Sequence, residues 1–289
     1  AGLTDDIRPR IDALAATPDG LVHLASARLR GVVRLLSVDP AKRAIVTTRD
    51  IALGDSNLDI RALHPTRDSG LLVVGGQAAQ PVIAELSKDG AIVAHTVLRE
   101  TWNAVDAVET SAAPLAMIGS NGLANVQLQT WDGDTRTPKV RASGPQFPGR
   151  FPGFARGTGD AFALTWLAED AGKFQAQVRT FSIDGLRPGW QAAIGPRTPL
   201  ATRFHVVPTA AGGFLVAGVS ERKLHVVQFR ANGAKAREFA SEQTPPEHPI
   251  FKGAELVKIG RDAVLVANIF VLTAGGREQQ QIVKITRLA

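Results

Sequence analysis

A hairpin signature recurs along this chain at nearly constant spacing, and that regularity limits the folds open to it. Residues 212–242 read GGFLVAGVSERKLHVVQFRANGAKAREFASE, and residues 70–100 read GLLVVGGQAAQPVIAELSKDGAIVAHTVLRE. Each opens on Gly and an apolar run, breaks briefly, resumes an apolar run, turns at Asn-Gly or Asp-Gly, and closes on a third run. The turn marker stands at Asp39-Pro40, Asp89-Gly90, Asp132-Gly133, Asp184-Gly185 and Asn232-Gly233, a period of about 48 residues, within the range of repeat arrays and propellers. Asn, Asp and Gly tolerate positive φ and supply tight hairpin turns, whereas Asp39-Pro40 needs another turn type.

The run before each turn aligns without gaps: VVRLLSVDP, VIAELSKDG, NVQLQTWDG, QVRTFSIDG, HVVQFRANG, with IVKITRLA closing the chain. Upstream lies a second aligned run (GLVHLAS, GLLVVGG, PLAMIGS, DAFALTW, GFLVAGV, AVLVANI) and before it a third (RIDALAA, DIRALHP, AVDAVET, PGFARGT, RFHVVPT, GAELVKI). All are short, β-rich and bounded by turn residues, and none has the apolar spacing of a long amphipathic helix. Four strands, a to d, repeated in six units predict an all-β, six-bladed β-propeller of four-stranded antiparallel blades. A β-sandwich or an open solenoid is the structural alternative, and the regular period disfavours the sandwich. The expected layout is one domain over 1–289, with blades at 11–53, 60–101, 104–143, 152–195, 203–242 and 253–289. The apolar b runs fit strands buried on both faces. Small residues at one b position (Ala25, Gly75, Gly119, Thr165, Gly218, with Asn268 departing) fit close packing.

The pattern resembles bacterial secreted β-propeller repeat proteins with a GGFLVAG…NG signature, over nearly the whole chain. The Gly-His…Trp-Asp pattern of WD40 repeats, the sialidase box and the repeated Trp of fucose-binding propeller lectins are absent. The resemblance implies the fold and export to the periplasm or beyond the cell, not an activity. The opening AGLTDD fits a processed exported chain, and equally a cytosolic protein or a trimmed chain. Blade six stops at Ala289, where its c–d turn should begin, so residues 1–7 are the expected closing strand. If they do not pair, blade six presents an edge open to β-augmentation.

Composition narrows the function classes. Cys is absent from the 289 residues, which excludes disulfides and Cys-ligated metals. Hydrophobic residues make up 44% and charged ones 21%, as in a folded globular chain, and no apolar run approaches a transmembrane span. The net charge of +6 is spread without a basic cluster, Tyr is absent, and aromatics do not alternate with Arg, so no specific nucleic-acid binding is expected. No dinucleotide fingerprint, P-loop or nucleophile elbow occurs, and the six His have no zinc spacing. No resident cofactor or metal is expected on the main reading.

Two candidate sites remain. The d–a and b–c connections should emerge on one face of the disc, with long segments at 143–153, 195–203, 242–253, 167–174 and 270–281. Rigidly held loops carry binding residues disproportionately. Phe147, Arg150, Phe151, Arg61 and Phe251 are the candidate ligand-binding residues, with Trp102 and Phe270 beside them. That reading is a non-enzymatic binding or scaffold protein, a monomer or part of a hetero-complex, recognising a macromolecule, with a protein partner expected. The second site is the column at the second residue of each a strand: Asp12, Arg61, Asp106, Gly153, His205, Glu255. Carboxylates converging with a His at a channel mouth suit a hard cation or acid–base chemistry. Six-bladed calcium-dependent lactonases place their sites there. The alternative function is therefore a metal-dependent hydrolase, lactonase or lyase, with Ca as cofactor and Asp12, Asp106, His205 and Glu255 as catalytic residues.

Overall fold

The computed structural model describes residues 12–28, 31–54, 58–66, 68–77, 80–98, 104–108, 115–121, 125–132, 139–157, 161–182, 187–199, 201–221, 223–240, 249–259, 262–272 and 279–288. The proposed closing strand, residues 1–7, lies outside them, as does Trp102.

The described residues form an all-β propeller architecture of antiparallel blades, each a meander of sequential strands. The first sheet is β1 (Ala13–Ala16), β2 (Val22–Ala27), β3 (Val32–Asp39) and β4 (Ala44–Ala52). The second is β5 (Asp59–Pro65), β6 (Leu71–Gln77), β7 (Gln80–Leu86) and β8 (Ile92–Val97). The third is β9 (Ala104–Val108), β10 (Leu115–Asn121), β11 (Asn125–Asp132) and β12 (Lys139–Pro148). The fourth is β13 (Arg150–Arg156), β14 (Ala161–Asp170), β15 (Lys173–Ser182) and β16 (Pro188–Thr198). The fifth is β17 (His205–Pro208), β18 (Phe214–Ser220), β19 (Lys223–Phe229) and β20 (Lys235–Ala240). A three-stranded sheet follows, of β21 (Pro249–Ile259), β22 (Asp262–Leu272) and β23 (Gln279–Leu288).

The chain divides into two compact units, one of residues 1–101 with 135–137, the other of 102–134 with 138–289. In the first, β1 neighbours β5, and Ala25, Val33, Leu35, Ile51, Leu63, Val73 and Val82 belong to one core. In the second, innermost strands again meet innermost strands: β9 against β13, β13 against β17, β17 against β21. Phe154, Phe162, Leu164, Trp166 and Phe181 pack with Leu128 of the third sheet, and Val178, Ile194 and Phe204 pack with Phe214 and Phe229.

Burial follows strand order. Every residue of β18 (FLVAGVS) is buried, as the unbroken apolar b run predicts for a strand covered on both faces. Every residue of β20 (KAREFA) is exposed, as an outermost d strand should be. The hairpin markers hold their turns through glycine at positive φ, at Gly90 and Gly233.

Two of the expected long loops, 143–153 and 167–174, are largely strand, while most of 242–253 and the middle of 270–281 lie outside the described residues. Residues 143–153 divide between β12 and β13, separated only by Gly149. Residues 167–174 form a tight hairpin around Ala171 and Gly172, and β16 runs to Thr198. Extending the hairpins pairs backbone amides and carbonyls that a loop would leave to water. Pro and Gly marked these stretches as loops, yet Pro148 ends a strand and Gly149, at φ 153°, makes the turn itself.

Candidate functional site

The first consequence falls on Phe147. Expected to be an exposed anchor, it is 8% exposed. Its ring stacks on Trp166 at 4.9 Å and meets Phe181 edge-on at 5.9 Å. The reason is alternation: β12 pairs Phe147 with buried Val126, which turns the ring into the core. Phe147 is therefore a core residue and not part of a binding patch.

Phe151 has the opposite fate. It is 46% exposed and sits at φ 52°, a left-handed conformation that is rare for a bulky side chain. It lies in a β-bulge: Arg150 pairs with Leu167 and Gly153 with Thr165, so two residues of β13 oppose Trp166 alone. Bulges re-aim side chains and recur at strand ends beside functional sites. Arg150 pairs with Glu169 at 2.8 Å, and its guanidinium lies 5.4 Å from the ring centre of Phe174. A Cβ at Gly153 would come within 2.5 Å of the Phe204 carbonyl and 2.6 Å of the Thr165 hydroxyl, which donates to that same carbonyl at 2.7 Å. Both flanks of Phe151 are thus immobilised.

Phe251 stands two residues before Gly253 in β21, as Phe151 does before Gly153, but there the bulged residue is Lys252. Phe251 pairs with Ile269, Gly253 pairs with Asn268, and a bulge falls between. The stretches RFPG and IFKG share Phe-x-Gly at these bulges. Phe270 pairs with Ile250. The side chains of Phe251 and Phe270 lie outside the description.

The a-strand column is staggered by register. In the second unit Gly153 stands opposite Thr165 of the small-residue b column. Asp106 opposes Ile118, one residue further along than the Val105–Gly119 pair, and His205 opposes Ala217, one short of Gly218. Glu255 opposes Val266, two residues from the Gly253–Asn268 pair. Because side chains alternate, Asp106 and His205 leave their strands on the face opposite to that of Gly153. In the first unit Asp12 precedes the Ala13–Ala25 pair and accepts the Ala27 amide at 2.8 Å, and Arg61 sits in a bulge, paired with Asp59 at 2.7 Å.

Asp106 is 1% exposed and its bonds cross strands. One oxygen accepts the Ala107 amide at 2.9 Å; the other accepts the Phe154 amide at 3.0 Å and Arg203 Nη2 at 2.5 Å. Asp106 thereby joins β9 to β13 and to the segment leading into β17. Arg203 was not a sequence candidate, though a basic residue two positions ahead of His205 in TRFHVV was the visible signal. His205 is half-buried.

Two other polar clusters form. In the first unit His23 bridges Thr17 Oγ1 (3.0 Å) and Ser37 Oγ (3.0 Å), and Thr17 donates to Asp19 at 2.6 Å. Burial lowers the His23 pKa below its ordinary 6.5, and the Asp19 charge opposes that shift. In the second unit His225 meets Ser220 Oγ at 2.9 Å, and burial lowers its pKa as well. Both pairs are enclosed, with every partner hydroxyl buried, and they pin turns and hairpins. Among the described residues no three His, Asp or Glu side chains are placed to hold a metal ion. No helix of the described residues is long and apolar enough to cross a membrane.

No protein-family model and no curated protein matches the sequence. Solved structures share the fold at low identity. A Bacteroides fragilis protein named as a candidate 6-phosphogluconolactonase is 13% identical, with 99% of this chain and 86% of that one covered and a TM-score of 0.55. A luciferin-regenerating enzyme is 8% identical over 96% of this chain and 91% of its own, at 0.54. The calcium-binding protein regucalcin of Agrobacterium tumefaciens is 11% identical over 89% and 81%, at 0.52. At these identities the likeness is one of fold.

Proposed function

We propose that the chain closes as a six-bladed propeller and serves as an exported binding module, recognising a macromolecular ligand at the end of its sheets where Arg150 and Phe151 stand. The bonding of Asp106 carries this reading. Its carboxylate is held by two main-chain amides and an Arg, and those bonds join strands. At the same end Phe151 is half in solvent on backbone held from both sides, which reduces the ordering cost of binding. The test is capture of a ligand from the producing cell's envelope by immobilised wild type and by Phe151→Ala. Equal capture by both would end this reading. Ring closure is tested by deleting residues 1–7, expected to lower the melting temperature by exposing a sheet edge; unchanged melting excludes them as the clasp.

The fold neighbours favour a second reading, a metal-dependent hydrolase or lactonase at the channel mouth. Two of them are named as enzymes and one as calcium-binding. On this reading the residues would come from the sequence column of Asp12, Asp106, His205 and Glu255, with calcium as the cofactor. A calcium-dependent rise in melting temperature, with lactone hydrolysis lost in Glu255→Gln, would replace the binding reading.

A further inference from the structure

The first sheet has two unlike faces. Alternation and register put Ala13, Ala25, Val33, Leu35 and Ile51 on one of them, in the core of the first unit. The other face carries two aliphatic rows joined by strand pairing, Leu14–Leu24–Leu36 and Val22–Val38–Ile45. Ile45 is 48% exposed and the other five are half-buried. The same face ends in charge. Ser26 pairs with Arg34 and Arg34 with Asp50, and two hydrogen bonds of 2.7 Å join the Arg34 guanidinium to the Asp50 carboxylate. Arg28 comes next along β2, its amide bonded to the Val32 carbonyl at 2.7 Å. Its side-chain Nε and Nη2 are buried and have no acceptor among the described residues. Asp50 is near enough to feel the Arg28 charge, but both its oxygens are taken by Arg34. Buried donors left unmade cost more than a hydrogen bond contributes. The face therefore fits a covering segment that sets a carboxylate among apolar side chains.

The chain carries such a segment beside it. Asp12 accepts the Ala27 amide at 2.8 Å, one residue from Arg28, so residues 1–11 join the sheet at its Arg28 end. They read AGLTDDIRPRI. In an extended chain Leu3, Asp5 and Ile7 share one side, an acid between two aliphatics, with Asp6 on the other. Pro9 favours a reversal of direction, and from Asp12 the chain can reach up to roughly 30 Å at Leu3, enough to turn back over the sheet. We infer that residues 3–7 lie across this face as a strap, with Leu3 and Ile7 on the aliphatic rows and the Asp5 carboxylate on Nε and Nη2 of Arg28. A carboxylate matches that guanidinium edge with two parallel charge-assisted bonds. The strap goes beyond ring closure: it covers a face within the first unit and depends on one charge pair.

The experiment is a double-mutant cycle on the full chain, read by thermal unfolding. Asp5→Asn and Arg28→Gln should each lower the melting temperature by about 3–6 °C, and the double variant by no more than the larger single loss. Trypsin cleavage after Arg10 under native conditions should be at least tenfold faster in Asp5→Asn than in the wild type, and unchanged in Asp6→Asn. Additive losses in the double variant overturn the inference, as do equal cleavage rates in Asp5→Asn and the wild type, or equal sensitivity at Asp6. So does an Arg28→Gln loss that persists undiminished once residues 1–7 are deleted. If that deletion lowers the melting temperature while Arg28→Gln stays additive with it, ring closure by residues 1–7 stands without the strap. If the deletion changes nothing, both readings fall.

Discussion

Asp106 and Arg203 lie 97 residues apart in sequence and form the most enclosed ion pair among the described residues, with side-chain exposures of 2% and 21%. Removing one partner of such a pair leaves a buried charge uncompensated, which costs about 3–5 kcal/mol. Asp106→Ala should therefore lower unfolding stability by about 3 kcal/mol, read by urea denaturation. A loss below about 1 kcal/mol would mean the pair is not the clasp described. Phe147 and Phe151, four residues apart, make a sharper contrast. Phe147→Ala removes a ring packed on Trp166 and Phe181 and should cost about 3–5 kcal/mol. Phe151→Ala should cost under about 1 kcal/mol, because its ring is already half in water. Equal losses in thermal and urea unfolding would contradict the burial assigned to the two rings. A sequence reading sees two Phe in one Pro/Gly-rich stretch and groups them; the pairing of Phe147 with Val126 and the bulge after Arg150 separate them.

At the scale of the element, the β13 bulge stores backbone strain. A non-glycine residue in the left-handed region costs on the order of 1–3 kcal/mol, and glycine adopts that conformation freely at an entropic cost of about 0.5–1 kcal/mol. Phe151→Gly is thus expected to raise stability by roughly 1 kcal/mol while abolishing ligand binding, measured by denaturation and by titration of the same preparation. Stability lowered by more than 1 kcal/mol would show that the ring packs on its own sheet and is not presented to solvent. The hairpins themselves were legible. Apolar b runs marked buried strands, and Asp89-Gly90 and Asn232-Gly233 marked turns, because both signals are local. Strand ends were not. Whether 143–153 loops out or pairs depends on partners in β11 and β14 that no local window contains.

Across the whole molecule, buried neutral histidines couple stability to pH. His23 and His225, both buried, have pKa values lowered by that burial. A histidine whose folded pKa lies below its unfolded 6.5 contributes full stability above 6.5. That contribution is lost as pH falls through 6.5 toward the folded value, because the unfolded chain takes up protons first. Melting temperature should accordingly hold between pH 7 and 8 and decline from pH 6.5 downward, less steeply in a His23→Gln, His225→Gln double variant. A decline of equal slope in that variant would assign the effect to carboxylates. The 48-residue period determined by itself that this chain is built of repeated antiparallel meanders, since strand alternation and turn chemistry are written within each repeat. Only the tertiary structure decided which candidate residues are available to a ligand. Register, bulges and the meeting of β9, β13 and β17 turned Phe147 inward, raised Phe151 to the surface and bound Asp106 to Arg203. Each of those outcomes depends on pairing between segments far apart in the chain, where one residue of register reverses the face a side chain occupies.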